Sequence, residues 1–350
     1  MLLFCLGLFF TAFYCLEVNA NTTAKITVTK ANYQGWRDSY ILSNGQVEAV
    51  IVPKVGRIMQ FRFKDGEATF WENERVYGKT PNIKSEEWGD YGAGGDKTWP
   101  APQSAWEKIT GRDWPPPATF DSIPLTAKVN RREVTLISPI DLFYGVRFYR
   151  KITLEPHKPI MKITTTYEKV KGKPQDVFVW IVTQLRDPVA VYAALPQPSI
   201  FPEGYNKQSE NLPANLKVDL GLLSLTRDRN KSHKIGSDAS TLLWMGEKVA
   251  VRIDSPRVSG AIYPDNNSSA EIYTNLDPKA YVELEFLSPL RTLRVGQKMD
   301  LTTTYTLIPR RTKNAEQEGR KILGLRNAQF SIFGNTNPNR FLSPANLAFG

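Results

Sequence analysis

Cysteine and histidine are the scarcest of the reactive residue types in this chain of 350 residues, with two of each. Both cysteines, Cys5 and Cys15, lie within the first 20 residues, so the remainder of the chain can form no disulfide. A chain of that length can instead be stabilised by its hydrophobic core. The two histidines, His157 and His233, have no cysteine, second histidine or carboxylate nearby at the spacing of metal ligands. The sequence therefore predicts no zinc or iron site.

Signatures of common cofactor and hydrolase sites are also missing. Gly94 and Gly95 are adjacent glycines, but the GxGxxG pattern of a dinucleotide site and its following helix are absent. No GxSxG segment marks the nucleophile of a serine hydrolase. We therefore expect no bound cofactor.

The beginning of the chain has the pattern of a secretory signal. The segment from Leu2 to Leu16 is almost wholly apolar, and Val18 and Ala20 follow it at the spacing of a signal-peptidase site. The run is shorter than the roughly 20 apolar residues that a membrane-spanning helix needs. We predict a cleaved signal peptide at residues 1–20 and a secreted or periplasmic protein with no stable membrane span. An uncleaved anchor is the alternative.

Positive charge is in excess but is not concentrated. The chain has 45 lysines and arginines against 35 acidic residues, a formal charge of +10, with no long basic run. The excess favours acidic partners such as an anionic polysaccharide. Nucleic acid is a poor fit for an exported protein and is not expected as a partner.

Most of the chain after residue 20 alternates apolar with polar or threonine residues, as half-buried antiparallel strands do. Asn44-Gly45 and Asp65-Gly66 stand between such segments and predict two hairpins. Only Lys313–Arg326 has the pattern of a helix. The sequence therefore predicts an all-β fold: a large antiparallel β-sandwich in one domain at residues 21–312, then a helix and extended tail at 313–350.

The segment GGDKTWPAPQSAW, at residues 94–106, reads as neither a buried strand nor a helix, and we predict a loop. Its prolines stiffen the backbone, and Trp99 and Trp106 offer flat faces on which sugar rings stack. The residues that supply donors and acceptors for hydroxyl groups are Asp96, Lys97 and Gln103. The segment is a candidate wall of a sugar site. The alternative is a loop whose tryptophans close the end of the sandwich.

Two predicted strands add candidate residues. In YVELEFL the alternation of side chains puts Tyr281, Glu283 and Glu285 on one face, where neighbouring carboxylates suit acid–base chemistry if the face lines a pocket. The alternative is a solvent-facing strand. In VFVWIVTQL, Trp180 and Gln184 lie in a strongly apolar strand, so the glutamine needs a partner from the backbone or from a ligand.

At these residues the sequence resembles the galactose mutarotase-like superfamily, the β-supersandwich of aldose epimerases, and within it a secreted bacterial branch of unknown function. The resemblance covers residues 33–309 and rests on VEAVIVPKVGRIMQFRFKDGEATFW, on GGDKTWPAPQSAW and on YVELEFLSPLRTLRVGQKMDLTTTYTL. It implies that Glu285 is the catalytic base, with Glu283 as the alternative. It also implies that Arg57, Asp96, Lys97 and Trp99 line the cleft.

One departure from the family pattern bears on function. Where mutarotases have the histidine acid that protonates the ring oxygen, this sequence has Gln184, which cannot donate a proton as an acid does. The resemblance therefore implies a carbohydrate-binding protein whose catalytic pair is incomplete. A glycan-acting enzyme with Glu285 as base, paired with Asp96 if it is a hydrolase, stays open, as does a structural envelope protein.

Overall fold

The alternating segments form two large antiparallel sheets that pack face to face. The computed structural model describes residues 25–82 and 92–326. The predicted signal peptide and the tail beyond residue 326 lie outside the described residues, and export stays a prediction. Among the described residues, no helix is long and apolar enough to cross a membrane.

The first sheet holds the strands that build the candidate site. In spatial order its strands are β1 (Thr27–Tyr33), β2 (Trp36–Ser43), β3 (Val47–Val52), β4 (Arg57–Phe63), β5 (Asp96–Ala101), β10 (Gln175–Arg186), β19 (Tyr281–Leu287), β18 (Ala270–Thr274), β15 (His233–Ser237) and β12 (Asn206–Lys207), with β20 (Arg291–Leu293) also paired to β10. Long-range pairing thus brings together segments from the start, middle and end of the chain.

The second sheet covers one face of the first. In spatial order its strands are β13 (Lys217–Asp219), β14 (Leu222–Leu225), β11 (Ala190–Ala194), β16 (Thr241–Met245), β17 (Val249–Asp254), β21 (Lys298–Pro309), β9 (Ile160–Lys169), β8 (Val146–Leu154), β7 (Glu133–Ile137) and β6 (Thr126–Val129). Inward residues such as Leu185, Leu284 and Ile163 are fully buried in one continuous core. The predicted all-β sandwich is confirmed.

Helices are few and short among the described residues. They are the α-helices Trp106–Thr110, Ala118–Asp121 and Ala315–Leu323, the helical turn Pro264–Asn267, and the 3₁₀ turns Pro53–Val55, Glu74–Val76 and Gln103–Ala105. The longest, Ala315–Leu323, lies inside the predicted helical segment. Asn314 caps its start by accepting from the Gln317 amide, and Gly324 ends it in the left-handed conformation.

One of the two predicted hairpins forms. Asn44 lies in the turn between β2 and β3, where its side-chain oxygen accepts from the amides of Gln46 and Val47. The prediction of a hairpin at Asp65 is wrong, because the segment that follows does not pair with β4 as a strand. The side chain of Gln60 instead accepts from the amides of Thr69 and Phe70, and so replaces the main-chain partner.

The glycine- and proline-rich segment is a strand at its centre, and its prediction as a loop is wrong. β5 pairs with β10 from Asp96 to Ala101. Pro100 is tolerated because it lies opposite Val179, whose backbone groups bond to Ser288 on the other side. A Cβ atom at Gly95 would lie 2.5 Å from the Ile58 carbonyl oxygen, so the glycine is required by close backbone approach.

Candidate functional site

A cavity of about 270 Å³ opens on the face of the first sheet that points away from the second sheet. The predicted site residues that line it are Lys97, Trp99, Gln103, Trp180, Gln184, Glu283 and Glu285. Residues that line it without having been proposed for the site are Gly92, Trp114, Asp121, Lys234, Tyr273, Asn275 and Lys279. Tyr281, expected on the same strand face as the two glutamates, lines it as well.

Strand alternation selects the residues that reach the cavity. In β5, Lys97 and Trp99 point to the cavity, and in β10, Trp180 and Gln184 do so. The registers pair Trp99 with Trp180, and Gln184 with Glu283. Side chains from sequence-distant strands therefore meet because they share one face of one sheet.

Tryptophans form the apolar part of the cavity. Trp99 lies edge-to-face on Trp180, with ring centroids 5.2 Å apart, and on Trp114 at 5.7 Å. Trp106 is fully buried behind them, 6.0 Å from Trp99, and donates to the Pro100 carbonyl. Trp106 therefore supports the aromatic wall and does not line it.

Glu285 is fully buried and is held by two donors. Its Oε2 accepts from the Trp180 indole at 2.6 Å and from Lys234 Nζ at 3.0 Å. Lys234 also ion-pairs with Glu271 at 2.8 Å, across the strand pair in which Glu271 lies opposite Glu285. One ammonium between two carboxylates leaves a negative charge uncompensated.

The electrostatic result is a perturbed carboxyl group in the cavity wall. Burial raises the pKa of Glu285 well above its usual range, Lys234 opposes this rise, and Glu271 and Glu283 add to it. Burial of Lys234 lowers its pKa, but the carboxylates of Glu271 and Glu285 outweigh that effect and raise it, so Lys234 stays charged. The Lys234 ammonium also lies 4.5 Å from the centre of the Trp180 ring.

Glu283 belongs to a second polar group in the same wall. Gln184 donates to Glu283 Oε1 at 2.9 Å, and Lys97 Nζ lies 3.7 Å from the same oxygen and 4.4 Å over the Trp99 ring. Burial lowers the pKa of Lys97 to about 8, an effect to which the nearby Arg57 charge contributes. Lys97 is therefore a buried amine that exchanges a proton close to neutral pH.

Two further oxygen atoms of cavity-wall side chains are buried. They are Gln184 Oε1 and Glu285 Oε1. Tyr281 lies close enough to Gln184, and Glu271 to Glu285, to share a side-chain hydrogen bond. Buried polar atoms are almost always hydrogen-bonded, and here a neighbouring phenol and a neighbouring carboxyl group serve these two side chains. Both atoms belong to residues that line the same cavity.

Asp96 is separated from the cavity, contrary to its prediction as a catalytic and cleft-lining residue. Strand alternation turns it to the opposite face from Lys97, into the core between the sheets. There it ion-pairs with Arg150 and accepts from Thr183 at 2.7 Å and Tyr305 at 2.5 Å. A hydrolase pair of Glu285 and Asp96 across one cavity is therefore wrong.

Arg57 acts behind the wall and does not line the cavity as expected. It is 1% exposed, and it donates to Asp121 at 2.7 Å and to the Gly94 carbonyl at 2.9 Å. Asp121, which lines the cavity, also accepts from the Trp99 indole at 2.9 Å. Arg57 therefore fixes Asp121, and through it the orientation of Trp99.

No metal centre is present among the described residues: no group of three or more histidine, cysteine or acidic side chains is placed to hold an ion. His157 is exposed, and His233 is buried between the Asn211 carbonyl and the Asp228 carboxylate. His233 therefore has a structural role.

Similarity to known proteins is found in structure and not in sequence. No protein-family model and no curated protein matches the chain. A galactose mutarotase-like protein of Lactobacillus casei superposes with a TM-score of 0.50 at 10% identity, over 77% of this chain and 100% of its own. For a galactose mutarotase-like protein of Clostridium acetobutylicum the TM-score is 0.51 at 11% identity, over 82% and 99%.

A TPR-domain containing protein of Parabacteroides distasonis gives a TM-score of 0.52 at 14% identity, over 87% of this chain. The match covers 50% of that protein, so this chain spans half its length. At such identities the likeness establishes the fold. The resemblance read from the sequence is thereby confirmed at that level: the chain has the galactose mutarotase-like fold.

Proposed function

We propose that the protein binds a carbohydrate in the cavity of the first sheet. The observation that carries the proposal is a cavity in which the polar side chains of Gln184, Glu283 and Glu285 stand beside a tryptophan wall. Sugars present hydroxyl donors next to apolar ring faces, and this pattern matches acceptors placed beside Trp99 and Trp180. The mutarotase-like names of the structural neighbours support a carbohydrate ligand.

The charges of the cavity favour a neutral sugar over an anionic one. Lysines 97, 234 and 279 line it, and they are matched by Asp121, Glu283 and Glu285. The net positive charge of the chain is therefore not focused at the cavity, and it gives no attraction for an anionic polysaccharide there.

Gln184→Met is expected to weaken binding of the sugar about threefold to tenfold, because the variant keeps the volume and loses one acceptor and one donor. Binding is measured by calorimetry on ligands chosen from a glycan array. Gln175→Met is the matched control, since it makes the same change on the same strand outside the cavity lining. Equal affinities of the two variants would remove Gln184 from the site, and no binding by the wild type would overturn the proposal.

A second candidate function is interconversion of sugar anomers, favoured by the perturbed groups in the cavity wall. Glu285 would take the proton of the anomeric hydroxyl while the Lys97 ammonium protonates the ring oxygen as its bond to the anomeric carbon breaks. Lys97, with a pKa of about 8, would then supply the acid that Gln184 cannot. The ring then closes on the other face of the carbonyl group. In this step Glu285 returns its proton to the new anomeric hydroxyl and Lys97 takes back the proton of the ring oxygen.

For this second function, Glu285→Gln is expected to lower the catalysed rate by about a hundredfold or more, because a general base is lost. Polarimetry of freshly dissolved α-D-glucose and α-D-galactose measures the rate, and calorimetry measures the affinity. A larger loss of rate than of affinity identifies a base. If the wild-type protein interconverts the anomers no faster than buffer alone, the proposed function is binding without catalysis.

A further inference from the structure

A second cavity of about 730 Å³ lies beside the first and is more than twice its volume. Pro278 and Ala280 line the second cavity, and the intervening Lys279 and the following Tyr281 line the first. One short loop therefore forms a wall of both cavities.

The partition between them is an aromatic pair. Trp71 lines the second cavity, and its ring lies 4.7 Å from that of Tyr281, which lines the first. The Trp71 amide donates to the Gln184 carbonyl, so the backbone of the first cavity wall holds Trp71 in place. The partition thus presents a ring to each side.

The second cavity is built with fixed polar groups. Glu72 accepts from Tyr33 at 2.5 Å, Gln60 at 2.6 Å and Tyr77 at 2.9 Å, and all four residues line the cavity. These bonds orient two tyrosine rings and a carboxylate along one wall. Aromatic faces and fixed polar groups together are the features that bind sugars.

The charges of the second cavity exclude a strongly acidic ligand. Its arginines are residues 62, 75 and 186, and its acidic residues are Glu67, Glu72, Glu74, Asp187 and Glu247. Arg62 is paired with Glu48, and Asp187 with Arg227. The acidic residues outnumber the arginines five to three, so the cavity does not attract an anion, and a hydroxyl-rich neutral ligand fits.

We infer that the two cavities are successive subsites of one groove for a neutral oligosaccharide, with the Trp71–Tyr281 pair at their junction. The inference rests on the proposed carbohydrate function: the first cavity binds one sugar unit, and the second binds the units that continue the chain. The larger volume of the second cavity suits more than one ring.

The test measures affinity against oligosaccharide length. Calorimetry with one to six units of the β-1,4-glucan, β-1,4-mannan, β-1,4-xylan and α-1,4-glucan series should show affinity rising about tenfold or more with length in the series that binds. Trp71→Ala and Ala68→Trp, the latter filling the second cavity, should each remove this rise. Monosaccharide affinity of Ala68→Trp should stay within about twofold, because Ala68 lines only the second cavity.

Each alternative outcome is decisive. Affinity independent of length, or equal loss for monosaccharide and oligosaccharide in both variants, overturns the groove and leaves the first cavity as a sugar site. Absence of wild-type binding to every monosaccharide and oligosaccharide of the four series overturns the proposed function and the groove together. Thermal unfolding of each variant checks that the variant is folded, so that a loss of length dependence is not caused by unfolding.

Discussion

Asp96→Ala is expected to lower the free energy of unfolding by about 3–5 kcal/mol, because it leaves the Arg150 guanidinium buried without its carboxylate. Both side chains of the pair are fully buried. Thr183 and Tyr305 would lose their acceptor as well, and unpaired buried donors are costly. Urea unfolding monitored by circular dichroism measures the change.

The double variant Asp96→Ala/Arg150→Met separates this structural role from catalysis. Removing both charges is expected to restore most of the stability, because the cost of the single variant lies in the stranded charge. Sugar affinity of the folded double variant should equal that of the wild type, since Asp96 does not line the cavity. Loss of affinity with restored stability would return Asp96 to the site.

Lys97→Met is expected to stabilise the protein at pH 7 by up to about 3 kcal/mol. The pKa of Lys97 is about 8 in the folded chain against an ordinary 10.5, because burial disfavours the ammonium. Between these values the unfolded chain binds more protons, so wild-type stability rises with pH across that window. The cost of the buried ammonium is fully present below pH 8, and the advantage of the variant should vanish by about pH 10.5.

Urea unfolding at pH 7, 8, 9 and 10 measures the difference between Lys97→Met and the wild type. Taking the difference cancels the titration of groups that both proteins share. Lys173→Met, at an exposed position, is the control and should show no such window. If the difference in unfolding free energy between Lys97→Met and the wild type does not change with pH, Lys97 does not titrate between pH 8 and 10.5. Because the amine lines the cavity, the variant should also lose sugar affinity.

The fold was predictable because strand alternation is a local property that tertiary structure preserved. The segment around Trp99 was misjudged because proline and glycine usually argue against a central strand. Among the described residues, β4 pairs with β5 only at Ile58 and Asp96, and the rest of that edge of β5 has no strand partner there. Had the strand been recognised, its alternation would have excluded Asp96 from a cavity that contains Lys97.

The site was predictable where one strand carried its own signal, as with Glu283 and Glu285. Glu271 and Lys234 were not predictable, because they come beside Glu285 only through the order of β19, β18 and β15 in the sheet. Trp114 lies in a proline-rich connection whose path no periodicity records. Local pattern therefore identified the strands of the site but not their neighbours.

The tryptophan wall has an optical consequence. Four of the chain's eight tryptophans, Trp99, Trp106, Trp114 and Trp180, have ring centroids 5.2 to 6.2 Å from their neighbours within the group. Rings this close exchange excitation energy, so the cluster emits as one unit. The Trp180 indole donates to Glu285. A ligand that enters the cavity therefore changes the polarity around these tryptophans. Binding of a ligand in the cavity should therefore change the intrinsic tryptophan fluorescence of the protein, so binding can be measured without a dye or label.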